Sequence, residues 1–240
     1  MSHRLRIQSY VSSPRAAVWH ALWHRTGVVL DALPGARWPE GCTLDEPERL
    51  TAPWVHTVPL GAATEVVVGL QEMGAGTLVD LTHQGLGEGP AWDEAVGGYF
   101  AAWLQALAAL GVLVESGIDP RPSPALRGLE RYFASGEIPA DADPVWRALS
   151  DPCVLERWSA GVLDGGTTLE SLEGRFLRLA LPARGAGAAG SAPPSPTELT
   201  IILRRTPRGT HVALAEYGVS GREASTRWPP MFERLARYFA

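Results

Sequence analysis

The chain repeats itself at the length of a whole domain. Val18-Trp19-His20-Ala21-Leu22 recurs as Val145-Trp146-Arg147-Ala148-Leu149, an offset of 127 residues. Thr64-Glu65, Leu70, Gly76-Thr77, Val79, Leu81 and Gly85 recur as Thr197-Glu198, Leu203, Gly209-Thr210, Val212, Leu214 and Gly218, an offset of 133. The order is kept and one loop has grown. Solenoids and propellers repeat every ~20–50 residues, so a period this long means two related domains in tandem. The expected division is a first domain over 1–118, a linker over 119–125 marked by the proline-rich stretch Gly117-Ile118-Asp119-Pro120-Arg121-Pro122-Ser123-Pro124, and a second domain over 126–240. A site proposed in one half can then be checked against its counterpart in the other.

Composition narrows the classes. With 45% hydrophobic and 20% charged residues, 240 residues hold enough apolar material for a core in each half. A net charge of −5 gives no electrostatic footprint for nucleic acid, and no basic run suits an anionic bilayer. The start of the sequence reads as a strand rather than an apolar signal segment, and the longest apolar helix carries Asp93, Glu94 and Gln105, so neither secretion nor a membrane span is expected. Cys42 and Cys153 stand singly, one in each half, which suits a reducing, cytoplasmic setting and gives no thiolate cluster. There is no lysine, which excludes Schiff-base chemistry and a P-loop.

Leu5, Ile7, Ser9 and Val11 alternate with polar residues as a first strand, and Ser12-Ser13-Pro14 opens a helix over 16–24. Strand-like runs follow near Thr43–Arg49, Thr51–Val58, Thr64–Gln71 and Gly76–Gln84, separated by turn residues at hairpin spacing, which predicts an antiparallel meander. From Pro90 to Leu110, apolar residues recur every three or four positions (Trp92, Val96, Tyr99, Trp103, Leu107, Leu110), the stripe of a long helix. The second half repeats this grammar, with strands near 132–138, 168–172, 175–182, 198–205 and 210–217 and a shorter closing helix from about Ser225.

Strand, helix, loop, meander and long C-terminal helix together resemble the helix-grip fold of the birch-allergen, START and polyketide-cyclase families, the SRPBCC superfamily. The residues that carry the likeness are Ser13-Pro14 with Val18-Trp19, the run from Gly76 to Gly85, and Trp92 with Tyr99, Trp103 and Leu107, then in the second half Ile138-Pro139-Ala140, Val145-Trp146 and Leu155-Glu156-Arg157-Trp158. Within the superfamily it looks nearest to the branch homologous to the activator of the heat-shock-protein-90 ATPase. The resemblance implies an α+β protein of two tandem helix-grip domains, each a curved antiparallel sheet wrapped around a long C-terminal helix, with an apolar cavity between them. It implies no shared catalytic residues, so function has to come from the cavity.

The candidate ligand-binding residues are Trp38, Trp54, His56, His83, Trp92, Tyr99 and Trp103 in the first domain and Glu216 in the second. His83 shares a strand face with Val79 and Leu81, and Glu216 holds the equivalent place beside Val212 and Leu214. A strand-end histidine can serve as acid, base or anchor, although one bonded within the core is the commoner outcome. Aromatic walls suit planar apolar ligands; for Trp19, Trp146 and much of the helix stripe, core packing accounts for the same residues. Two apparent motifs carry no chemistry, and a hydrolase motif is absent. His20 and His24 sit one helical turn apart, but their counterparts Arg147 and Asp151 describe a solvated face, so no metal is expected. Gly185 to Gly190 matches a dinucleotide fingerprint but runs into Pro193, Pro194 and Pro196, which forbid the helix that would hold a pyrophosphate. No G-x-S-x-G is present.

The expected function is non-catalytic binding of a small hydrophobic molecule, with no cofactor, the first domain holding the cavity and the second serving as a structural or homodimerising partner. Two other classes compete: a polyketide aromatase/cyclase-like enzyme using His83 or His56, and a co-chaperone-like module acting through its surface.

Overall fold

The structure is a computed structural model, and it describes residues 3–31, 33, 37–55, 63–182 and 197–240. The chain divides into two compact units, Met1–Asp119 and Pro120–Ala240.

The first unit runs β1 (His3–Val11), α1 (Arg15–His24), α2 (Thr26–Val29), β2 (Thr43–Asp45), β3 (Arg49–Val55), β4 (Ala63–Met73), β5 (Gly76–Leu86) and α3 (Pro90–Ser116). The second runs β6 (Arg131–Ile138), α4 (Ala142–Ser150), α5 (Pro152–Ser159), β7 (Thr167–Leu172), β8 (Phe176–Leu181), β9 (Thr197–Thr206), β10 (Gly209–Tyr217) and α6 (Gly221–Tyr238). Their sheets have corresponding strand orders, β1-β5-β4-β3-β2 and β6-β10-β9-β8-β7, antiparallel throughout. Each unit is an α+β helix-grip domain, a curved sheet holding its C-terminal helix.

The repeated Gly-Thr pair has a physical cause in both units. At the start of β5, a Cβ on Gly76 would lie 2.4 Å from the carbonyl oxygen of Val11. In β10, a Cβ on Gly209 would lie 2.2 Å from the carbonyl oxygen of Ile138, the residue equivalent to Val11. Only a residue without a side chain lets the last strand approach the end of the first so closely. The neighbouring threonine then satisfies a loop carbonyl: Thr77 Oγ1 donates to Ser13 O at 2.8 Å, and Thr210 Oγ1 to Ala140 O at 2.8 Å. Both threonines are fully buried. A further pair recurs, with Leu70 N donating to Glu48 O and Leu203 N to Arg175 O.

Alternation decides which residues face the helix. Ile7 and Val11 of β1, Leu50, Ala52 and Trp54 of β3, Val66, Val68 and Leu70 of β4, and Val79 and Leu81 of β5 are all buried. Against them α3 sets Trp103, Leu107 and Leu110. By length and mean hydropathy α3 would suffice to cross a bilayer, yet from Ala102 to Leu113 all but two of its residues are buried inside the protein, as in a core helix. It ends at Gly117, whose φ of 74° forms a left-handed cap.

Some boundaries differ from the sequence expectation. The turn between the second and third strands falls at Glu46–Glu48 rather than near Leu50, because Pro47 has no N–H for a sheet ladder and settles in the turn closed by Glu48 N to Asp45 O. Helix α1 is preceded by Pro14 with no side-chain cap. Helix α6 starts earlier than Ser225, since the Ser220 side chain accepts from Glu223 N and caps it there. The proline-rich segment belongs with the second unit: Ser123 N donates to the Glu198 carboxylate, Arg178 to Arg121 O and Thr200 Oγ1 to Pro120 O, while Leu126 packs on Ala215 and Tyr217 of β10. The loop over 183–196, with its glycine-rich match, lies outside the described residues.

Replacing Thr77 or Thr210 by Val keeps the shape and deletes the hydroxyl, leaving a loop carbonyl without its donor. Each should cost about 1–3 kcal/mol of unfolding free energy in urea titrations, and Gly76→Ala or Gly209→Ala should cost at least as much.

Candidate functional site

In the first unit the sheet and α3 enclose an aromatic cluster. Trp54 on β3 packs edge-on to Trp103 of α3, with ring centroids 5.4 Å apart, and Trp38 stacks on Trp103 at 6.3 Å. Trp38 also meets Trp54 edge-on at 6.4 Å. Tyr99, one turn before Trp103, packs edge-on to His83 at 5.1 Å. Edge-to-face geometry at these separations is the favourable arrangement for ring quadrupoles. Trp38, Trp54, His83 and Trp103 are buried, while Tyr99 and Trp92 are half-buried.

His83 sits at the polar centre of this cluster. It is fully buried and pairs in the sheet with Leu5 of β1 and Val66 of β4. Trp103 Nε1–H donates to His83 Nδ1 at 3.2 Å, so that nitrogen is an acceptor and the ring proton belongs on Nε2. Nε2 lies 2.8 Å from Thr64 Oγ1 and donates to it, and Thr64 Oγ1 donates in turn to Trp54 O at 3.1 Å. The relay fixes this tautomer, because a proton on Nδ1 would confront the indole N–H. The Tyr99 hydroxyl is hydrogen-bonded to the Trp54 indole, and burial raises its pKa above the ordinary value despite that bond. Trp38 is fixed from outside the sheet, its Nε1 donating to Leu22 O at the end of α1 at 3.0 Å.

The second unit uses the same strand position differently. Glu216, paired with Tyr132 and Leu199, is fully buried, and its carboxylate accepts from Trp228 Nε1 at 2.7 Å and from Arg227 Nη1 at 2.6 Å. Arg227 also reaches Glu223 at 2.9 Å. Trp228 is the counterpart of Trp103: in each unit the buried tryptophan of the C-terminal helix finds its acceptor at one strand position. The cation needed to balance a carboxylate there comes from Arg227, where α3 has Ala102 before its tryptophan.

Of the residues singled out from sequence, Trp38, Trp54, His83, Tyr99 and Trp103 come together around the relay. Trp92 lies further back on α3, its indole against Gly87, where a Cβ would be 2.2 Å from Nε1. Glu216 lies in the other unit and His56 outside the described residues. His20 and His24 lie with ring centroids 4.9 Å apart and tilted planes on an exposed helix face, and among the described residues no group of three or more potential metal ligands is found. Sequence reasoning missed Thr64, although its recurrence as Thr197 marked it. It also missed Arg227, for which composition held no signal.

No protein-family model matches the chain, and no curated protein does. Among solved structures it is similar to DynU16, a protein from the dynemicin biosynthetic locus (17% identity, 100% of this chain and 96% of that one, TM-score 0.45). It is similar also to BexL, a di-domain ARO/CYC from the BE-7585A biosynthetic pathway (15%, 99% and 98%, TM-score 0.36). CalU16 from Micromonospora echinospora resembles half of it (20%, 50% and 82%, TM-score 0.40).

One further titrating group lies away from the site. His211 on β10 stands between Arg204 and Glu137 in the sheet ladder. Burial, then the Arg204 charge, push its pKa down from 6.5 to about 4, with Glu137 opposing them. Its Nε2 is buried without a hydrogen-bond partner among the described residues.

Two outcomes follow. Thr64→Val takes the acceptor from the His83 N–H and should destabilise the first unit by about 1–3 kcal/mol in denaturant unfolding, with Thr64→Ser nearly neutral. The unfolded chain binds a proton at His211 below pH 6.5 that the folded protein refuses until about pH 4. That part of the stability is therefore complete above pH 6.5 and lost as pH falls toward 4, by up to about 1.4 kcal/mol per pH unit. Urea titrations at pH 7, 5.5 and 4.5 should show this slope, and His211→Gln should flatten it.

Proposed function

We propose that the first unit binds a small, hydrophobic, aromatic molecule between its sheet and α3, beside Trp54, Tyr99 and Trp103, and that it does so without catalysis. The observation that carries this reading is the state of His83. Both ring nitrogens are turned inward to Trp103 and Thr64, and the ring is fully buried. A general base has to reach a substrate proton directly or through one water. His83 instead orients Trp103 and thereby the aromatic wall. Indole and phenol rings present large apolar faces with few polar atoms, which suits a neutral planar guest.

A second reading, an aromatase/cyclase-like enzyme, draws its support from Tyr99. Burial favours the protonated phenol, a group that can hand a proton to an enolising carbonyl, and its ring is half-exposed where those of His83 and Trp103 are not.

Titration with the neutral aromatic dye N-phenyl-1-naphthylamine, read by dye emission and by quenching of tryptophan fluorescence, should show saturable uptake. Trp54→Leu should weaken it about tenfold or more, whereas Tyr99→Phe should leave it within about threefold, since loss of one buried aromatic contact costs roughly 1–3 kcal/mol. A dye that binds with no loss in Trp54→Leu would sink the reading. Under the enzymatic alternative, Tyr99→Phe retains binding and abolishes turnover of a poly-β-keto substrate followed by mass spectrometry.

A further inference from the structure

The helix that closes the site contains a weakness that its packing does not require. Gly97 and Gly98 are adjacent in the interior of α3, and at both a Cβ would meet no atom within 4 Å. Glycine in a helix interior costs about 1 kcal/mol relative to alanine, because the unfolded backbone has more freedom to lose. Where close approach demands glycine, as at Gly76, the structure shows the colliding atom; here there is none. The burial of the helix changes character at this place. After it, Ala102 to Leu107 are buried without a break, whereas from Pro90 to Phe100 no residue whose side chain is described is buried. The other end of the exposed part is also jointed: Gly89, just before the helix, has a φ of 100°, a conformation that side-chain-bearing residues rarely adopt. Between the two joints lies Trp92, whose indole rests on Gly87, where any Cβ would overlap it.

We infer that residues 90–98 form a lid over the aromatic cluster, hinged at Gly89 and at Gly97-Gly98 and latched by Trp92 on Gly87. This rests on the binding reading above. Swinging the first two turns of α3 away exposes the edge where Tyr99 and Trp54 lie, while the buried second half stays in the grip of the sheet. Hinges of this kind absorb backbone change at a few positions, and the opening they allow gates ligand entry and exit.

The test uses three variants of the full chain. Gly97→Ala with Gly98→Ala fits the available space and stiffens the hinge, so stopped-flow uptake and release of N-phenyl-1-naphthylamine should both slow about tenfold, with affinity nearly unchanged. Amide hydrogen exchange within 93–99 should slow by a similar factor. Gly87→Ala displaces the latch and should speed uptake and exchange. Gly111→Ala, at a third helical glycine with open space but in the enclosed half of α3, is the control: it should raise Tm and leave the dye kinetics alone. Unchanged exchange at 93–99 in the double variant overturns the lid whatever the dye does. A chain that takes up no dye, yet shows the expected exchange changes, overturns the binding reading and leaves the hinge standing.

Discussion

A tryptophan buried in the C-terminal helix brings an N–H donor into an apolar interior, and that donor has to be met. Leaving it unmet would cost about 1–3 kcal/mol. In both units the acceptor stands at the same place on the last strand, His83 for Trp103 and Glu216 for Trp228. This contact registers the helix on the sheet, since a polar partner admits far fewer positions than an apolar surface would. The Gly-Thr pair at the far end of the same strand fixes the sheet against the loop that leads into α1 or α4. Each unit is thus held at both ends of one strand by a specific, buried hydrogen bond.

The two solutions to the same demand have different chemical consequences. An imidazole meets the indole without any formal charge, and the wall around it can remain neutral and aromatic. A carboxylate in the equivalent place needs a cation, and Arg227 provides it from the residue beside the tryptophan. A buried ion pair is stable only when its geometry satisfies both partners, which leaves an interior committed to itself. Such a region is poorly suited to an exchangeable apolar guest, so the proposed binding site lies in the first unit.

The relay around His83 also explains why a histidine in an aromatic pocket need not be catalytic. Its two nitrogens settle the orientation of Trp103 and tie β4 to the Trp54 carbonyl through Thr64. The plasticity that a binding site requires is then concentrated elsewhere, in the exposed turns of α3 before Tyr99. A rigid wall and a jointed closing element are separable properties of one long helix, because burial changes abruptly along it.

Repetition and alternation were enough to reveal two α+β units, the strand faces, and the equivalence of His83 with Glu216, because these depend on periods of side-chain direction that a linear pattern records. The Gly-Thr repeat was visible too, although its cause was not. What the pairs do was decided by the folded structure: the partner of His83 lies twenty residues on and that of Glu216 only twelve, because Trp103 sits further along α3 than Trp228 does along α6, so alignment of the strands does not align the helices. The proline-rich stretch read as a linker, yet its carbonyls found donors in Arg178 and Thr200 and joined it to the second sheet. Hydrogen bonds between residues remote in the chain have no period, and only tertiary contact selects which donor meets which acceptor.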